Sequence, residues 1–434
     1  VSVVSARRRQ LDNGLSIVAR PNRDVRSIAV NLMLRAGCGF DPAGRAGAAN
    51  LVSRLFDRGA GGLSGAAIAE EFDALGIVFR ARARLDSLDL TLRFLSRHLP
   101  FALERLHLLA TRPDFPEDEV ARERARVVTE IAEREQDTGA QADDRLSATL
   151  FPAGHPYREP LTGGRDSLEA ISLDDLKRFH ARHCGPCGAV LSMAGDFDAG
   201  LALDAAAALF SNWSGPMDAR PAGVWPAEAP DPFPQAPAPS GVLRVVQPIA
   251  GKSQSDIAWA FVPAIHRRGE DLQAALVMNS VLGDFGMGGR LGRSVREDAG
   301  LAYYASSHVW SGFGAGPVLV RAGVAPDKVA KAVRLMRKTV AAFLRSGPKP
   351  AEIADSKLAL TSSIPRRFET NAGAASLLAD CEFQGLGFDF VESVPERIAA
   401  LDRDAVLEAA RRYLTPDRSV LVVTGAELSE KQLA

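Results

Sequence analysis

Leu173-Asp-Asp-Leu-Lys-Arg-Phe-His-Ala-Arg-His-Cys-Gly-Pro-Cys-Gly-Ala-Val-Leu-Ser-Met-Ala-Gly195 and Arg403-Asp-Ala-Val-Leu-Glu-Ala-Ala-Arg-Arg-Tyr-Leu-Thr-Pro-Asp-Arg-Ser-Val-Leu-Val-Val-Thr-Gly425 are two versions of one pattern. They align without a gap at an offset of 230, Pro186 against Pro416 and Gly195 against Gly425. Each starts with helical spacing of its apolar residues, turns at a proline and ends in a short apolar run, which reads as amphipathic helix, turn and buried strand. A second pair lies upstream. Pro116-Glu-Asp-Glu-Val-Ala-Arg-Glu-Arg, running towards Ile131, parallels Lys349-Pro-Ala-Glu-Ile-Ala-Asp-Ser-Lys, running towards Ile364, at an offset of 233. Proline and acidic residues suit a first helical turn, where the missing N–H is not needed and the dipole favours negative charge. Self-similarity at this period marks a duplicated chain.

Each half also opens with strand-like segments, residues 15–19 and 28–35 in the first and 242–247 and 256–262 in the second. Strands, then long helices, then a closing helix and strand predict an α+β fold, a tandem duplication of two homologous α/β sandwiches. At 434 residues the chain exceeds what one core normally organises. Proline is densest between Pro216 and Pro239, an extended composition that predicts a linker over 216–240 between an N-terminal domain, 1–215, and a C-terminal domain, 241–434.

The composition excludes several classes. With 46% hydrophobic and 24% charged residues, and 52 basic against 53 acidic side chains for a net charge of -1, the chain has no footprint for nucleic acid or for an anionic membrane. No apolar run reaches the roughly 18 to 20 residues of a spanning helix. The chain opens Val1-Ser2-Val3, without a methionine. A leader removed before residue 1 is the expectation, which leaves the compartment open and favours periplasm slightly over cytoplasm. Four cysteines, Cys38, Cys184, Cys187 and Cys381, are too few for a disulfide scaffold.

Chemistry concentrates in two places. Gly283-Asp-Phe-Gly-Met-Gly-Gly289 leads into Arg290-Leu-Gly-Arg-Ser-Val-Arg296-Glu-Asp-Ala-Gly-Leu-Ala-Tyr303-Tyr304. This resembles the second-half signature of the M16 (pitrilysin-like, mitochondrial processing peptidase-like) zinc peptidases, a glycine-rich turn, a short helix, R-E and G-L-A-Y. The duplicated layout extends the resemblance over nearly the whole chain and implies the LuxS/MPP-like metallohydrolase fold in each half. Catalytic members carry H-x-x-E-H on a first-half helix, two imidazoles for zinc and a carboxylate beside its water. The matching segment here is Gly47-Ala-Ala-Asn50-Leu-Val-Ser53-Arg54-Leu-Phe, so Asn50, Ser53 and Arg54 replace His, Glu and His. A protonated guanidinium only donates, and this set makes no zinc site. Glu130 stands where the family has its third ligand: a relic of that position, or a partner for Arg54.

The resemblance therefore implies a non-catalytic subunit of a heterodimeric M16 peptidase. It binds no cofactor of its own, its partner bears H-x-x-E-H and the zinc, and Arg296 and Tyr303 act in trans on extended peptide substrates, with Tyr304 a lesser alternative for the hydroxyl. A turn at Gly300 is required for Arg296 and Tyr303 to converge. Peptide would add as a strand to a sheet edge, near residues 35–40 or their counterpart near Val262. A scaffold relative without proteolytic role is the rival reading. Cys184-Gly-Pro-Cys187 matches a thiol redox motif, but such motifs open a helix, where the dipole lowers the thiol pKa, and this one closes a helix. His180 and His183 beside it, and the scattered His98, His107, His155, His266 and His308, read as structural. The glycines of 283–292 lack the Lys-Ser/Thr of a phosphate loop, and Asp284-Phe-Gly lacks the other kinase motifs. Flexible positioning of the Arg296 helix is their expected use.

Overall fold

A computed structural model of the chain describes residues 5–215, 233–425 and 427. The first residues, 1–4, and most of the expected linker, 216–232, lie outside the described residues. The chain divides into two compact units.

The first unit holds a six-stranded sheet in the order β1-β2-β8-β3-β7-β6, with β1 Arg7–Gln10, β2 Ser16–Pro21, β3 Ser27–Leu34, β6 Val78–Ala83, β7 Leu88–Leu95 and β8 Val190–Gly195; a small hairpin joins β4 Gly59–Ala60 to β5 Leu63–Ser64. β2 and β8 run parallel and the other pairs antiparallel. Strand alternation sorts the side chains. Ile28, Val30, Leu32 and Leu34 of β3 enter a large core with helices Ala48–Leu55, Leu99–Thr111 and Ala199–Phe210. On the opposite face Ala29 and Ala194 meet Ala374 and Ala375, small residues that let helix Asn371–Phe383 lie close on the strands.

The second unit repeats the plan in a five-stranded sheet, β11-β12-β10-β13-β9, with β9 Val242–Pro248, β10 Ser255–Phe261, β11 Ala302–Val309, β12 Val318–Val324 and β13 Ser419–Gly425. Read from β9, its order and strand directions match β2-β8-β3-β7-β6. Ile257, Trp259, Phe261, Leu421 and Val423 face the core, and helix Thr138–Leu150 covers the other side of β10 and β13. All four expected strands form within two residues of their predicted limits, and the paired helices appear as Glu117–Gln136 with Pro350–Arg367 and Leu173–His183 with Arg403–Tyr413.

The units do not follow the halves of the sequence. Residues 132–159 belong to the second unit and 364–393 to the first, so each half lends one helix to the other half's sheet. The lent helices start at Thr138 and Asn371, at the same offset of 233 that relates the long helices before them.

The expected peptide edges need correcting. β3 and β10 are each paired on both sides, and beyond β3 the Cys38 and Gly39 amides bond to the Arg84 and Leu85 carbonyls. An interior strand has no free ladder to offer. The sheet edges are β1 and β6 in the first unit and β9 and β11 in the second. Among the described residues no helix is long and apolar enough to cross a membrane.

Candidate functional site

Helix Ala48–Leu55 begins at Gly47, whose φ of 97° and close approach to the Thr162 carbonyl (2.5 Å for an added Cβ) exclude a side chain. The Asp41 carboxylate accepts from the Gly47 and Ala49 amides at 2.7 and 2.8 Å and so caps the helix. Its burial outweighs those two bonds and raises its pKa to about 7.

Positions 50, 53 and 54 share one helical face. Ser53 turns away, donating to the Asn50 carbonyl at 2.7 Å. Arg54 donates through Nε to Asn50 Oδ1 at 2.9 Å and through both terminal nitrogens to Glu130, at 2.8 and 2.6 Å. Of the two readings of Glu130, the structure shows the pairing with Arg54. Two turns back along Glu117–Gln136, Glu123 is only 3% exposed and is held by Arg126 at 2.8 Å and Arg58 at 3.3 Å, with Arg54 at 3.9 Å. A guanidinium thus occupies the space that Asn50, Glu123 and Glu130 surround. Both carboxylates are committed to arginines and the helix contributes no imidazole, so the donor set does not fit zinc. Among the described residues no cluster of three or more His, Cys, Asp or Glu side chains could hold a metal ion. Sequence reading missed Glu123, Arg58 and Arg126. The seven-residue spacing of Glu123 and Glu130 was the available signal, since it places them on one face.

The second constellation lies in the other unit. After helix Leu272–Asn279 the chain passes through a widened turn, Ser280–Asp284, and left-handed glycines 286, 288 and 289, into helical turns 289–298. Several of these glycines are points of close contact, while Gly286 faces open space. A Cβ on Gly283 would lie 2.4 Å from Ser307 N, on Gly288 2.1 Å from the Ala305 carbonyl, and on Gly292 2.1 Å from the Met287 carbonyl. The segment is pressed against the backbone of β11 and locks the Arg296 helix there. Arg290 anchors it from the other side, with a bidentate bond to Glu352 at 2.9 and 2.5 Å and its guanidinium 4.8 Å over the Phe343 ring.

The required turn is present. Gly300 has φ 60°, its amide bonds to the Arg296 carbonyl at 3.1 Å and the Leu301 amide to Val295 at 3.0 Å. Arg296 is 22% exposed and donates to Glu297 at 3.1 Å. In β11 the register slips between Ala302 and Tyr304, leaving Tyr303 as an extra residue that is 86% exposed. Tyr304 takes the opposite course, its hydroxyl donating to Asp256 at 2.5 Å. Burial first, and then the Asp256 carboxylate, push its phenol well above the ordinary range. Asp256 is a further residue the sequence reading did not single out.

The thiol motif behaves as a connection. Cys184 closes helix Leu173–His183, leads towards β8 and is buried, which raises its pKa strongly; none of the four cysteines is in a disulfide. His180 bonds to the Ala110 carbonyl at 2.8 Å and packs on Phe56 and Phe115, while His183 packs on Phe40 and Phe179.

Comparison with known proteins gives the class. The family model described as insulinase (peptidase family M16) matches residues 17–163, and the peptidase M16 inactive domain matches residues 170–360. The chain belongs to the M16 peptidase family. Within it this is an inactive member, as the replaced H-x-x-E-H residues require. It is similar to an uncharacterized zinc protease of Streptomyces coelicolor, with 27% identity over 99% of this chain and 91% of the relative. It is also similar to the non-peptidase homolog YmxG of Helicobacter pylori, at 24% over 85% and 82%. A crystal structure of a peptidase M16 inactive domain from Pseudomonas fluorescens superimposes with a TM-score of 0.87 at 25% identity, covering 98% of each chain.

Proposed function

We propose that this chain is the non-catalytic partner of an H-x-x-E-H-bearing M16 subunit, and that the two together form a zinc endopeptidase. The observation that carries the reading is Tyr303: a phenol-bearing side chain left 86% exposed by a bulge, seven residues beyond Arg296, in a chain whose own metal helix is filled by Arg54. Zinc, held by the partner alone, would supply Lewis acidity and an activated water there.

What this chain adds is stabilisation of charge. Attack on a peptide carbonyl builds negative charge on oxygen, and preorganised donors lower that barrier. Arg296 brings a permanent charge and a fork of donors, Tyr303 one hydroxyl on a rigid ring. The Arg296–Glu297 pair does not oppose this role. Glu297 is half exposed, and such a pair holds its partners by about 0.2–1 kcal/mol, little against a buried oxyanion. Extended peptide substrates would use main-chain contacts, which make few demands on sequence.

The Helicobacter pylori relative, described as a non-peptidase homolog, favours a second reading, a scaffold without proteolytic role. A quenched fluorescent peptide separates the two. It is offered to this chain alone, to an H-x-x-E-H partner alone and to the mixture. Activity in the mixture only, lowered roughly 10²–10³-fold by Arg296→Ala or Tyr303→Phe while the complex still forms, supports donation in trans. Activity of the partner alone, unchanged on mixing, leaves the scaffold.

A further inference from the structure

Three residues line up across adjacent strands of the second sheet. Tyr304 on β11 stands opposite Gly323 on β12, and Gly323 stands opposite Asp256 on β10. A Cβ on Gly323 would lie 2.5 Å from Tyr304 Cε1 and 3.0 Å from Cδ1, so the tyrosine ring lies across that strand where only glycine leaves room. At its far end the hydroxyl meets Asp256, which is 2% exposed and also accepts from Thr138 at 2.5 Å and Gln254 at 3.1 Å. Thr138 is fixed in turn, its carbonyl accepting from Thr424 on β13 at 2.6 Å. The anchor reaches over four strands and a helix start.

We infer that Asp256, Gly323 and Tyr304 are positioning residues for Tyr303: they clamp the C-terminal side of the bulge, while the Gly300 turn clamps the other. A bulged residue is unpaired by the ladder, and its direction is set by what holds its neighbours. Tyr304 is tied inward by its hydroxyl, so the one residue between that tie and Ala302 is thrown outward. Without the tie the β11 start would regain a second arrangement, and an exposed ring would sample both. The inference rests on the proposed role of Tyr303 for its functional consequence, but its conformational content stands apart from that role.

The test uses two mild variants, Tyr304→Phe, which removes only the hydroxyl, and Gly323→Ala, which puts a methyl into the ring. The chain is labelled with 3-fluorotyrosine. It has four tyrosines, and the Tyr303 line in the ¹⁹F spectrum is assigned with Tyr303→Phe. Both variants should shift or broaden that line in the isolated chain. In the mixture with the partner they should lower kcat about tenfold and leave KM unchanged. A purely structural role would lower the melting temperature and leave the Tyr303 line and kcat where they were, which overturns the inference. If Tyr303→Phe itself does not change kcat, the trans mechanism fails, and the ¹⁹F line alone decides whether the clamp exists.

Discussion

Replacing Arg54 by methionine tests whether its guanidinium is a structural cation of the first unit. Methionine keeps much of the aliphatic stem and removes three donors, two to Glu130 and one to Asn50. Hydrogen bonds to charged groups contribute about 1.5–3 kcal/mol each when buried, but exposed ion pairs contribute only about 0.2–1 kcal/mol. Arg54 is 25% and Glu130 44% exposed, so the freed carboxylate can turn to water and the lower range applies. Glu123, at 3% exposed, keeps Arg58 and Arg126 and is weakened without being stranded. With up to about 1 kcal/mol from the pair and about 1 from the Asn50 bond, the expected loss is about 1–2 kcal/mol, or roughly 2–8 °C for a unit of this size. A chain of two compact units need not unfold in one step, so the loss is best read by hydrogen exchange within helices Ala48–Leu55 and Glu117–Gln136. The Arg54→Met, Glu130→Gln double variant should be less damaged than the sum of the singles. Protection unchanged to within about 0.5 kcal/mol in Arg54→Met would refute the reasoning and reduce the pair to a solvated surface contact.

Asn50→His, Ser53→Glu and Arg54→His made together should yield about one zinc per chain by elemental analysis; a chelator should then loosen helix 48–55 in that variant and leave the natural chain unaffected. Gly288→Ala forces a Cβ against the Ala305 carbonyl at a φ of 108° and should cost more than about 2 kcal/mol, with loss of trans activity on the quenched peptide. Asp175 accepts from the Ser172 amide and hydroxyl and from Arg178 and Arg45, which hold its pKa far below the usual carboxylate range. Its contribution is complete above the unfolded value of about 3.9 and is lost as pH falls through the depressed one, so Asp175→Asn should destabilise at pH 7 and still, though less, at pH 3, the difference vanishing only in the most acidic urea titrations.

The duplication, the paired helices and the four opening strands were legible because they rest on local periodicity and on spacing along the chain, which no tertiary contact needs to supply. The loss of the metal site was legible for a chemical reason: no fold turns a guanidinium into a ligand. The resemblance of the 283–304 segment to the family's second-half signature singled out Arg296 and Tyr303 and marked Gly300 as the turn between them. Contacts between distant segments were another matter. Which strands are edges depends on the order of pairing, and the segments after β3 and β10 that read as edges follow interior strands. The helices at Thr138 and Asn371 have the same local signals wherever they dock, so only packing assigns each to the other half's sheet. The glycines of 283–292 look alike in sequence, yet Gly283, Gly288, Gly289 and Gly292 are points of close approach in three dimensions. Tyr303 and Tyr304 are neighbours of one type, and a single extra residue in β11, with Asp256 waiting two strands away, sends one to solvent and buries the other's hydroxyl. Period along the chain thus determined the duplicated elements, and the family resemblance the replaced metal motif, while register and close packing decided which side chains face solvent and which are tied down.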